Sequence, residues 1–469
     1  MPGKWLVLML TAATLSAGCA GQAPRASSEA PAASAEEAYT VPVHYRVLDN
    51  GLKVVVSPDD TAPIATVAVY YKVGLRTEPK GLTGFSHLFE HMMFQSSENL
   101  PKGAFDKLVQ GNGGVLQGQT KYDVTLYYEV VPTHMIEPVL WAEADRMGRL
   151  TVNQESLDNQ REVVKNEVRL KIENQPYSEF ISVEITGNAY ENWQNNHNSW
   201  GEMADLDAAT VEAAEAFYET YYAPNNAVVV VVGDVDPATV FAMTDKHFGA
   251  FPAREQPNPP DLSEPRQEAE KRSVFHDPLA PQPALAFAYH IPERGTPEYY
   301  AMGMIDLILL RGQDSLLHQR LVREKGYVGF VGGGINLQGN MFDYDGPMIL
   351  TGYTIFDASR DPQQLLDEID DVVESLRTTP VDQETLDRAL LKFRSGFYDT
   401  LGSGFGTGRA NLLAAFALFD DDPSRINQIL DRMSEVTPQL VRSVAQEYLR
   451  PSNRTVIFLE PGAAEGGQP

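Results

Sequence analysis

Two stretches of this 469-residue chain recur at nearly one spacing, and a chain built as two copies of one unit has few folds open to it. Val152-Asn153-Gln154-Glu155-Ser156-Leu157-Asp158 matches Val381-Asp382-Gln383-Glu384-Thr385-Leu386-Asp387 at an offset of 229 (381 − 152). Thr210, Tyr221, Pro224 and Asn226 match Thr437, Tyr448, Pro451 and Asn453 at an offset of 227 (437 − 210). In each copy a helical pattern ends at the tyrosine, a turn with Pro and Asn follows, and a β-branched run comes next. Those runs, residues 228–232 and 455–459, read as buried strands. The copies meet in the Pro- and charge-rich stretch 254–272, with Pro257, Pro259 and Pro260. Strands are expected near 53–56, 66–72 and 124–131, and helices near 84–94, 105–111, 135–149, 154–172 and 211–221. Strands and helices without strict alternation make the class α+β.

The N-terminus carries Lys4, an apolar stretch over residues 5–15 and then small residues, the pattern of a secretory signal peptide over residues 1–18. Leu15-Ser16-Ala17-Gly18-Cys19 resembles a bacterial lipobox, and Cys19 is the only cysteine of the chain. That resemblance implies a lipid anchor on Cys19 and, with Ala20 following, a lipoprotein of the outer membrane facing the periplasm. Residues 19–40 then read as lipidated cysteine and disordered tether, 41–253 as a first domain, 254–272 as a linker, 273–460 as its homologue and 461–469 as a disordered tail. The formal net charge of −27 excludes nucleic acid as a partner, since that surface must be basic.

Chemistry concentrates at His87-Leu88-Phe89-Glu90-His91, which reads H-x-x-E-H. Histidines four apart on a helix stand about 40° apart around its axis, because each residue turns about 100°. Both imidazoles can therefore reach one metal ion. Glu90 falls on the same side and suits a base that takes a proton from metal-activated water. A catalytic zinc needs a third protein ligand and an open position. A helix by pattern around residues 154–172 offers two acids, Glu162 and Glu167; five apart, they point about 140° away from each other. Periodicity does not choose between them. Trp193, Trp200, Tyr127 and Tyr128 could line a chamber, although packing is the plainer reading. His197, in an Asn-rich loop, is the one remaining histidine singled out.

The stretch 41–461 resembles the pitrilysin-type (inverzincin) metallopeptidases, the family of insulin-degrading enzyme and mitochondrial processing peptidase. It looks most like the small bacterial members built of two halves. The residues that carry the resemblance are Gly84 to Phe94, Arg161-Glu162-Val163-Val164-Lys165-Asn166-Glu167, and Tyr222-Ala223-Pro224-Asn225-Asn226 leading to Gly233-Asp234. It implies two homologous halves, each a mainly antiparallel sheet packed with helices. It implies Zn2+ on His87, His91 and Glu167, with Glu90 as the catalytic base. Peptides or unfolded polypeptides would bind as an added strand at an edge near residues 114–120, with Gln117 and Arg323 as substrate-binding residues.

The chain departs from the family pattern in several places. Gln160 and Gln117 stand where glutamate and asparagine are usual. Phe330 stands where a tyrosine would accompany Arg323, and Gly396 stands opposite Glu167 in the repeat. A paralogous partner chain supplying an Arg/Tyr pair is therefore expected, in a heterodimer, with a homodimer as the other form. A non-catalytic scaffold subunit of the same fold is the alternative function.

Overall fold

The computed structural model describes residues 39–462; the expected signal peptide, Cys19 and the tether to residue 38 lie outside them, as does the tail after 462. In the first half, β1 (His44–Val47), β2 (Lys53–Pro58), β3 (Ile64–Tyr71), β4 (Val115–Thr120), β5 (Thr125–Pro132) and β6 (Ala227–Gly233) form one sheet in the order β1-β2-β6-β3-β5-β4. In the second half, β7 (Lys271–Asp277), β8 (Ala284–His290), β9 (Gly332–Ile335), β10 (Ile349–Ile355) and β11 (Arg454–Pro461) form another in the order β7-β11-β8-β10-β9. With β1 set aside the two orders are the same. In both sheets the pair joining the first strand to the last, β2–β6 and β7–β11, is parallel, and the other pairs are antiparallel. The repeat in the sequence is thus a repeat of topology in an α+β fold of two like halves.

The all-valine run of β6 is buried along its whole length. A strand without polar alternation needs cover on both faces. One face of the first sheet packs against α1 (Phe85–Met92) and, beyond α2 (Ala104–Gln110), α3 (Ile136–Arg149), through Val229 and Val231 with Phe89 and Leu140. The other face, with Val228, Val230 and Val232, packs against Leu412, Leu413 and Phe416 of the second half's helix Thr407–Asp420. The first half returns this cover. Its Phe180, Ile185 and Ala189 pack on Ala284, Ala286 and Ile457 of the second sheet. The halves share a continuous core, and residues 41–462 form one compact unit.

The stretch between the halves has no helix or strand over residues 252–268, yet it is tied down. Asn225 donates to the Arg254 carbonyl (2.8 Å), Asn195 to Leu262 (2.9 Å) and Gln267 to Arg454 (2.7 Å). Three elements differ from the sequence reading, the first being β7, which begins at Lys271, inside the expected linker 254–272. The helix expected over 154–172 is α-helical as α4 (Gln154–Val168) and continues as a widened π-type turn, Arg169–Glu173. Strand β11 reaches Pro461, one residue into the expected tail, because β7 extends to meet it at Asp277.

Candidate metal centre

Helix α1 buries Phe85, Leu88, Phe89 and Met92, which leaves His87, Glu90 and His91 along the side away from that packing. Its N-cap is Gly84 at φ +83, and no local side chain caps the first turn. The buried Glu78 carboxylate does so from outside the helix, accepting the backbone N–H of Gly84 (2.8 Å) and of Ser86 (2.7 Å). An anion at that end is also favoured by the helix dipole. Helix α4 packs against α1 and presents Glu167. The His91 Nε2 lies 3.1 Å from Glu167 Oε2, and the His87 Nε2 lies 3.8 Å from Oε1. Glu162 points away, more than half exposed and 3.8 Å from Lys165. The structure therefore brings together one of the two acids that periodicity left open.

The donor atoms of His87, His91 and Glu167 all lie within 4.8 Å of one another. Ligands placed tetrahedrally around zinc at bonds of about 2.0–2.2 Å stand about 3.4 Å apart. The separations of 3.1 and 3.8 Å straddle that value. Protonation states agree. Burial, and then the neighbouring His91, pull His87 down to about 4, so its ring is neutral with a free lone pair. Hydrogen bonding to His91 and to Lys171 holds Glu167 down to about 2, a carboxylate. A neutral His87 nitrogen and an anionic Glu167 oxygen suit a divalent zinc ion.

Glu90 stands beside this set. Burial raises its pKa, against the opposing hydrogen bond from Thr120 Oγ1 to its Oε2 (2.7 Å). Thr120 ends the edge strand β4, which comes close because Gly118 has no side chain. A Cβ there would meet Glu90 Cγ and Phe94 Cε2, each at 3.0 Å. The centre opens into a cleft of about 400 Å³ whose wall includes Gln117, Gln119, Tyr128, Lys171, Trp200 and Gln338. Gln117 accepts from the Tyr128 hydroxyl (2.9 Å), and Trp200 meets the His87 ring edge-on at 5.6 Å. A larger cavity of about 680 Å³, beside Trp193 and His197, contains none of the three metal-binding candidates.

Several residues singled out in the sequence stay away from the cleft wall. Arg323 is exposed on the turn His318–Glu324 and hydrogen-bonded to Gln313 (3.4 Å). Phe330 is 40% exposed and packs edge-on against Tyr353 (6.0 Å). Gln160 donates to Asn159 (2.7 Å), and His87 Nδ1 is buried without a protein partner. In the second half Gly303, Asp306, Leu307 and Gly396 line a cavity of about 290 Å³ with no imidazole in its wall. Sequence reasoning missed Glu78, Lys171 and Gln338. Glu78 and Gln338 sit in loops without periodicity. Lys171 could have been found, because it follows Glu167 by four residues on one helical face.

Residues 53–198 match the family model described as Insulinase (Peptidase family M16), and residues 208–393 match the one described as Peptidase M16 inactive domain. The chain belongs to peptidase family M16. Among M16 relatives, the zinc protease PqqE of Helicobacter pylori is 29% identical over 90% of this chain and 94% of that protein. The mitochondrial-processing peptidase subunit beta of Lentinula edodes is 23% identical over 58% of this chain and 60% of its own length. The crystal structure of a protease from Helicobacter pylori superposes with a TM-score of 0.83 at 27% identity, covering 90% of this chain and all of that one. The periplasmic protease PqqL of Escherichia coli gives 0.71 at 15% identity over 90% of this chain and 48% of its own, a likeness of fold alone. The M16 inactive-domain match falls mainly on the half that lacks the H-x-x-E-H motif.

Proposed function

We propose that the chain is a zinc-dependent endopeptidase that hydrolyses peptides or unfolded polypeptides in the bacterial cell envelope. The observation that carries this is the convergence of His87, His91 and Glu167 from two helices, with Glu90 fixed beside them. The names of the relatives, zinc protease and processing peptidase, point the same way. His87, His91 and Glu167 would hold the ion. Zinc bound there supplies Lewis-acid polarisation of the scissile carbonyl and acidifies a water.

The chain's own groups do the rest. The exposed edge of β4 aligns an extended peptide by main-chain hydrogen bonds, with Gln117 on that strand. Glu90 takes a proton from the attacking water as its oxygen bonds to the carbonyl carbon. It then delivers that proton to the departing amine nitrogen as the C–N bond breaks. A carboxyl whose pKa burial has raised is better suited to both transfers than an ordinary surface glutamate. Arg323 and Phe330 lie outside the cleft wall, which supports completion of the site by a paralogous partner chain, or by a second copy. Anchoring through Cys19 to the outer membrane, facing the periplasm, fits the leader sequence.

Metal analysis with cleavage of a quenched peptide tests the reading. About one zinc per chain is expected. Glu90→Gln should keep the metal and lose about 10²–10⁴ of the rate. Zinc-loaded protein inactive in both forms, with the partner supplied, would favour the scaffold alternative.

A further inference from the structure

Among the described residues, Lys171 is the only lysine or arginine in the wall of the cleft. Its Nζ lies 2.6 Å from Glu167 Oε1, one turn beyond that carboxylate, while 61% of its side chain is exposed. It lies within the π-type turn Arg169–Glu173, a rare geometry that recurs at functional sites. Apart from Lys171, Glu90, Glu167 and His87, the wall is neutral: Gln117, Gln119, Gln338, Thr120, Tyr128 and two serines supply its polar groups.

The Lys171 ammonium holds only the Oε1 of Glu167, and a divalent ion on that carboxylate would weaken its hold on the ammonium. Two cations would then face one anion in a partly desolvated cleft, where like charges repel strongly. The ammonium sits on a flexible four-carbon stem with three donors, so it can turn into the cleft. With a divalent cation, Glu90, Glu167 and Lys171 all charged, the cleft holds one net positive charge. A cleft of one sign concentrates the opposite one.

We propose that Lys171 is a specificity-determining residue whose ammonium binds a carboxylate of the peptide beside the bond to be cut. This rests on the metallopeptidase reading of the same cleft. The carboxylate can come from an internal Asp or Glu side chain or from the free C-terminus of a short peptide. The rival role is a structural one, in which Lys171 only steadies Glu167.

The test measures binding to the zinc-loaded Glu90→Gln protein by fluorescence anisotropy. The probes are one neutral, amidated, fluorescein-labelled octapeptide; the same peptide with a free C-terminus; and amidated versions with Glu, or Lys, at each central position. A carboxylate-bearing probe should bind about three- to tenfold tighter than the neutral one. Adding Lys171→Gln should erase that advantage, and Lys171→Glu should turn it into a preference for the Lys-bearing probe. The free-terminus and internal-Glu arms tell which source is read. Equal binding of neutral and acidic probes, or an advantage that survives Lys171→Gln, would overturn the proposal. So would loss of zinc from the Lys171→Gln protein at matched free zinc, because Lys171 would then act through Glu167. Cleavage by the unaltered protein is scored separately: binding as expected without cleavage strikes the peptidase reading alone.

Discussion

Gly118 leaves little room for added volume beside the catalytic carboxylate. A valine there must displace Glu90 Cγ or the Phe94 ring, both 3.0 Å from the first added carbon. Gly118→Val is therefore expected to lower kcat/KM at least about tenfold, because a displaced base loses proton-transfer geometry. Zinc content should not change, since the metal-binding atoms lie on α1 and α4. Activity and metal analysis on one preparation check this. Glu167→Gln should behave oppositely and weaken zinc binding by about a hundredfold or more through loss of the anionic ligand. Glu162→Gln should leave zinc binding alone, because that side chain faces solvent. The contrast marks how much of the site the sequence could carry. H-x-x-E-H places three groups by helix geometry alone. The third metal-binding group depends on how α4 docks on α1, a tertiary fact. Gly118 was legible only as a glycine in an edge strand, because its neighbour Glu90 is 28 residues away in sequence (118 − 90).

At the scale of elements, α1 is held at its first turn by a loop carboxylate and braced by residues 193–201. His197 Nε2 lies 3.7 Å from Glu78 Oε2, its ring stacks on Trp193 at 4.4 Å, and Trp200 of the same segment packs on His87. Burial pulls the His197 pKa down, but the interaction with Glu78 and the Trp193 carbonyl outweighs it, and the net shift is upward. A histidine whose folded pKa is raised contributes stability that is complete below its unfolded value, about 6.5. That contribution is lost as pH rises through the folded pKa. Glu78→Gln should therefore cost more stability at pH 6 than at pH 8.5, measured as the urea midpoint. A difference independent of pH would show that Glu78 acts only as a helix cap. Strands β2, β3, β5 and β6 and helices α1 to α4 were readable from apolar period and turn residues. The segment holding Phe180, Ile185 and Ala189 was not, because a short π turn followed by Ile185–Ala189 gives no sustained 3.6-residue stripe. It is helical because the second sheet needs cover.

For the whole molecule, the repeat offset disclosed two like halves but not their interlocking, since complementary surfaces have no period. The clearest interlock is the loop over residues 336–348, which leaves the second sheet and crosses to the turn between β4 and β5. There Asp123 accepts the N–H groups of Asp345 (2.8 Å) and Gly346 (3.1 Å). Lys121 and Asp343 form a buried ion pair at 2.8 Å, shared with Asn411. The same loop brings Gln338 into the wall of the metal cleft. Replacing one partner of such a pair strands a buried charge, so Asp343→Ala should cost about 3–5 kcal/mol. Replacing both with apolar residues of similar size, Lys121→Met with Asp343→Leu, should recover most of that loss, since a buried pair gains little over good packing. Urea unfolding of the two variants checks the pattern. If the double variant is as unstable as the single one, the pair and its Asn411 bond define the docking of the halves, and peptide cleavage should fall with stability because Gln338 leaves the cleft. If stability returns while cleavage stays low, the loop serves the cleft rather than the fold.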